Sequence, residues 1–67
     1  MYIVLELQTN ANGTVGTLIN SYEDRGQAES KYHLVLSAAA VSSLPCHAAV
    51  LMNEQGLVLA NGFYEAK

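Results

Sequence analysis

The chain has one cysteine, one proline and three fixed cations among its 67 residues. Each shortage excludes something. A single thiol, Cys46, rules out an internal disulfide. With His33 and His47 it gives three soft ligands, fewer than the four of a typical structural zinc site. Arg25, Lys31 and Lys67 stand against six acidic residues, for a net charge of −3. A nucleic-acid binder needs a basic footprint to neutralise phosphates, and none is present. Anionic membrane surfaces are disfavoured on the same ground. The apolar runs are broken well short of the ~18 residues of a membrane span. Met1 leads straight into strand-like sequence without a basic leader segment, so no secretory signal is expected. A lone thiol without an export signal points to a reducing cytoplasm.

The catalytic vocabulary is missing as well. No HExxH, GxSxG or CxxC occurs. Gly13 and Gly16 lie three apart, but a strand follows them rather than a helix N-terminus, so the phosphate-cradling geometry is absent. Enzymatic activity and a cofactor are therefore not expected.

What is present is apolar: 51% hydrophobic residues and only 13% charged, against a typical ~25% charged. Sixty-seven residues make one domain, 1–67. A chain this short buries only about 60% of its unfolded surface and is marginal without help. With disulfides and a closed metal site set aside, oligomerisation is the aid that remains.

Periodicity places the elements. Residues 1–9 alternate as a strand, with Ile3, Leu5 and Leu7 on one face and Tyr2, Val4, Glu6 and Gln8 on the other. Asn10 to Gly13 is turn chemistry. Residues 14–23 read as a second strand, weakened or bulged at Gly16. Asp24 is the expected helix N-cap, with Gln27 completing a variant capping box. The helix buries Ala28, Tyr32, Val35, Leu36 and Ala39 and is expected to end at Pro45. Residues 46–53 form a third strand, Asn53 to Gly56 a second turn, and residues 57–64 a fourth strand.

The resulting fold class is α+β, ββαββ: a four-stranded antiparallel sheet of order 2-1-3-4 with one helix on one face. A parallel pairing of strands two and three is the alternative.

This plan leaves surplus apolar surface. A second helix stripe holds Leu34, Ala38 and Val41 at i, i+4 and i+7. If Ile3, Leu5 and Leu7 meet the helix, then Tyr2 and Val4 point away from it. Exposed apolar patches mark interfaces. Leu34, Ala38, Val41, Tyr2 and Val4 are therefore the expected oligomer contacts, with a cyclic dimer as the default symmetry.

Candidate chemistry is thin. Cys46 and His47 are adjacent in a strand and point to opposite faces, so they cannot act as a nucleophile–base pair. Glu29 and His33 are spaced i,i+4, a surface pair in the simplest case. Tyr22, Tyr32 and Tyr64 are available to a cleft, although Tyr32 is placed in the core with its hydroxyl at the rim. Tyr32, His33 and His47 are the candidate ligand-binding residues, in a pocket between subunits. A metal bridge from Cys46 to a histidine across an interface is a further alternative.

The pattern Tyr22-Glu23-Asp24-Arg25, Ala28 to His33, Leu36 to Ser42, His47 and Gly56 resembles a family of short proteins from bacteriophages, prophages and related mobile elements of gut bacteria. The resemblance spans the first strand to Tyr64. That family has no assigned activity, so it implies no active-site residues. It implies a cytoplasmic setting in an infected or lysogenic bacterium. The combined expectation is a small, non-enzymatic, self-associating protein that acts as a protein-interaction module. A small-molecule-binding module is the alternative.

Overall fold

The computed structural model describes residues 1–65. The chain runs β1 (Tyr2–Thr9), β2 (Val15–Tyr22), α1 (Arg25–Ala40), β3 (Cys46–Asn53) and β4 (Val58–Glu65). The strands form one antiparallel sheet of order β2-β1-β3-β4, with α1 across one face. This is the ββαββ arrangement read from the sequence, and the alternative β2–β3 pairing does not occur.

Both hairpins close with the same device. Gly13 donates its N–H to the Asn10 carbonyl at 2.9 Å, and Asn10 donates to the Thr14 carbonyl at 2.8 Å. Gly56 donates to the Asn53 carbonyl at 3.0 Å, and Asn53 to the Leu57 carbonyl at 3.0 Å. The two glycines have φ of +89° and +85°, which L side chains rarely adopt. Asparagine side chains brace both turns: Asn12 Oδ1 accepts from the Thr14 N–H, and Asn53 Oδ1 accepts from the N–H groups of Gln55 and Leu57.

Helix α1 starts at the expected N-cap, but the return bond from the Gln27 side chain is not made. Asp24 has extended backbone, and its Oδ2 accepts from the Gln27 N–H at 3.1 Å. It stops sooner than expected. Val41 already leaves helical geometry at φ −112°, ψ 9°. The N–H groups of Val41 and Ser42 bond back to Ala38 and Ala39 in a tightened last turn. Ser42 Oγ then accepts from the Leu44 N–H at 3.1 Å, a local bond that competes with helix continuation. Pro45 therefore follows a connection that has already turned. Val41 is the C-cap, not a member of a helical stripe.

The core lies between α1 and the two central strands. Ala28, Tyr32 and Val35 of the helix meet Val4 of β1 and Ala49 and Leu51 of β3, and Ala39 is buried one turn further along the helix. The face of β1 is thus the reverse of the expected one. Tyr2, Val4, Glu6 and Gln8 lie under the helix, while Ile3, Leu5 and Leu7 line the far side. Register shows why. Val4 stands opposite Leu51, Glu6 opposite Ala49 and Gln8 opposite His47, and these β3 residues are the ones the helix covers. The helix comes close to the sheet at small residues. A Cβ on Gly62 of β4 would lie 3.1 Å from Leu36 Cδ2 and 3.3 Å from the Tyr32 hydroxyl. A helix seated on Ala49 and Gly62 has no room for a row of long aliphatic side chains beneath it.

Val4, expected at an oligomer contact, is 1% exposed and belongs to the subunit's own core. Tyr2 is partly buried against the same core. A register shift near Met52 lets the neighbouring Leu59 and Ala60 both pack inward.

Candidate functional site

Two features stand out: an uncovered sheet face and a polar pair beneath the helix. The face follows from the register. Ile3, Leu5 and Leu7 of β1 sit at its centre, beside Met52, Val50 and Ala48 of β3. On the outer strands Ile19 flanks Leu5, and Phe63 flanks Ala48. Val15 and Val58 extend the apolar surface toward the corners. Ile19 is 66% exposed and Phe63 61%. An antiparallel sheet with one covered face usually makes the other polar. Here the polar positions are Thr9, Thr17, Ser21 and Asn61, with one charge, Glu65, at the Cys46 corner. Most long aliphatic side chains of the two central strands are thus outside, while the helix-covered side joins Ala28 and Ala49 with Val4, Tyr32, Val35 and Leu51.

That covered side also holds polar groups. His47 Nε2 donates to Glu6 Oε2 at 2.6 Å, and Gln8 Nε2 donates to the same oxygen at 2.8 Å. The side chains of Glu6 and His47 are 14% and 6% exposed. Burial pushes the Glu6 carboxyl up. Hydrogen bonds from Gln8 and His47, with the charges of His47 and Lys31, outweigh that and hold it below the ordinary 4.5. His47 Nδ1 is buried and has no hydrogen-bond partner. A carboxylate on one imidazole nitrogen is the arrangement of a general base. A base, however, must reach a substrate through its other nitrogen, and here that atom is sealed beneath α1. The pair is suited to fixing the β1–β3 register rather than to moving protons to a ligand.

The sequence alone did not pair Glu6 with His47. The signal was nonetheless available once β1 and β3 are antiparallel neighbours, because Gln8 then faces His47 and Glu6 stands one pleat further along on the same face.

The three candidate ligand residues do not converge. Tyr32 is core, His47 is tied to Glu6, and His33 is exposed on the helix, stacked edge-on to Tyr32 with ring centroids 5.4 Å apart. Glu29 is not paired with His33. It accepts from Arg25 Nε at 3.0 Å, one turn earlier on the helix. An open cleft of about 340 Å³ lies at the other end of the sheet from His47, lined by Met1, Tyr2, Arg25, Asn53, Glu54, Gln55 and Leu59. None of the three expected residues reaches it. Cys46 and His47 point to opposite faces, as the strand period requires. Among the described residues no group of three or more His, Cys, Asp or Glu gathers closely enough to hold a metal ion.

Of the remaining expected contacts, Leu34, Ala38 and Val41 are all exposed. No helix among the described residues is long and apolar enough to cross a membrane. No family model, curated protein or solved structure matches the chain.

Proposed function

We propose that this chain is a small, non-enzymatic protein that self-associates and acts as a protein-interaction module. The observation that carries the proposal is the uncovered apolar sheet face centred on Leu5 and Val50. Contiguous exposed apolar surface of this kind marks an interaction site. A single 67-residue subunit gains more from association than a larger domain would, because its own core is small. Two geometric points support the non-enzymatic reading. His47 is closed off under α1, and Cys46 and His47 lie on opposite sides of the sheet. The cytoplasm of a bacterium carrying phage-derived genes is the setting that suits the sequence resemblance and the lone thiol.

Static light scattering on the purified chain over the micromolar range tests the association. The expected result is a mass above the 7.2 kDa of one chain, falling on dilution. A constant 7.2 kDa throughout would refute the proposal.

A further inference from the structure

We propose that the open sheet face is covered by the same face of a second copy, giving a two-fold sandwich with both helices outermost. The inference rests on the self-association reading and names its surface and geometry.

Size selects the occupant. Four strands of eight residues, about 4.8 Å apart and rising about 3.3 Å per residue, present a flat area of about 500 Å². Two such faces meet the lower bound of about 1,000 Å² for a specific interface before side-chain relief is added. A single helix, about 10 Å across, is too narrow for a sheet nearly twice that width. The opposite side of this molecule shows the outcome: α1 covers β1 and β3 but leaves Leu18 of the edge strand β2 53% exposed. A second sheet is the element wide enough.

Charge selects a copy of the same chain. The chain carries −3 overall, so most juxtapositions of two copies bring like charges together. On the open face the one charge among the described residues is Glu65, at a corner. Two such faces stack without a buried charge and without central repulsion. A charged partner would find no complement there. Shape agrees: bulky Phe63 stands beside small Ala48, giving ridge and hollow to the same surface. Twisted antiparallel sheets stack about 10 Å apart in this manner, with strands offset by about 30°. An isologous two-fold contact also closes on itself and uses up the open sheet face.

The experiment compares Ile19→Lys, Phe63→Lys and Leu34→Asp with the parent chain by light scattering, with circular dichroism to confirm folding. Ile19 and Phe63 are well exposed in the single subunit and lie on opposite edge strands. The expected outcome is twice the 7.2 kDa chain mass for the parent and for Leu34→Asp, and the single-chain mass for both lysine variants. A dimer that survives both lysines but not Leu34→Asp overturns the sandwich while sparing self-association, since the helix would then be the contact. A dimer broken by Ile19→Lys and not by Phe63→Lys also overturns it, in favour of edge pairing through β2. A monomeric parent overturns both proposals. A readout independent of the variants is attack by a soluble paramagnetic probe on methyl signals of the parent dimer. Leu5 and Val50 should be shielded and Leu34 broadened, and broadening of Leu5 and Val50 refutes the sandwich.

Discussion

Replacing Glu6 by glutamine preserves side-chain size and removes one charge from beneath the helix. Glu6 Oε2 accepts two bonds, from His47 at 2.6 Å and Gln8 at 2.8 Å. A hydrogen bond to a charged group contributes about 1.5–3 kcal/mol, against about 0.5–1.5 for a neutral one. Two bonds reverting to neutral therefore cost about 2–3 kcal/mol at most. Relief from burying the charge offsets part of this. The lowered carboxyl pKa shows that the favourable contacts outweigh burial in the native state. The expected net loss for Glu6→Gln is about 1–2 kcal/mol at neutral pH. A 67-residue domain has roughly 3–10 kcal/mol in total, so the change is large. With a urea slope of about 1 kcal/mol/M, the midpoint should fall by about 1–2 M.

The pH arm fixes the sign. A carboxyl whose folded pKa lies below 4.5 is protonated first in the unfolded chain as the medium is acidified. Its stabilisation is complete above about 4.5 and disappears as pH falls through the lower folded value. Glu23, Asp24, Glu29, Glu54 and Glu65 are common to both chains, so the gap between parent and Glu6→Gln reports Glu6 together with its contact to His47. Urea midpoints at fixed protein concentration, from pH 7 to pH 3, should converge on the acid side. Equal midpoints at pH 7, or a gap that persists unchanged into acid, would refute the assignment of Glu6 as a stabilising carboxylate.

Two further perturbations probe local geometry. Asp24→Ala removes the acceptor for the Gln27 N–H and should cost about 1 kcal/mol, read as a lower thermal midpoint with the helical signal affected first. Gly62→Ala and Gly16→Ala form a contrasting pair within the sheet: the first meets Leu36 at 3.1 Å and should destabilise by about 1–3 kcal/mol. The second meets only the Gln8 carbonyl at 3.9 Å and should be neutral or stabilising by a few tenths of a kcal/mol. A similar urea midpoint shift for both would contradict the close helix–sheet approach at Gly62.

The elements were legible because local chemistry announces them. Asp24 before a helical run, and asparagine-to-glycine turns between alternating strands, define four strands and a helix without any distant contact. Strand order follows from the helix crossover, which leaves the third strand antiparallel to the first, and pairing those two also puts the most apolar strands at the centre. Which half of β1 faces inward was not legible. Period two divides Tyr2, Val4, Glu6 and Gln8 from Ile3, Leu5 and Leu7 but does not say which set is buried. Glu6 and Gln8 read as a solvent face until His47 is placed beside them. Their partner lies on another strand, so hydrophobic patterning assigned the wrong half. For the same reason the pattern points to Val4 rather than Leu5 for the open face. The helix ends before the stop that Pro45 announces because Ser42 offers a local hydrogen bond in place of one more turn.

The seam between β1 and β3 has a kinetic consequence. Each hairpin is closed by a turn of a few residues and can form from local contacts. Joining Thr9 to Cys46 and Tyr2 to Asn53 requires most of the chain to come together at once. Loop-closure entropy falls almost entirely on that step. The two hairpins are therefore expected to form early and assembly of the central seam to limit the folding rate, with α1 tethering the halves, so that trimming Leu51 should slow refolding more than trimming Ile19.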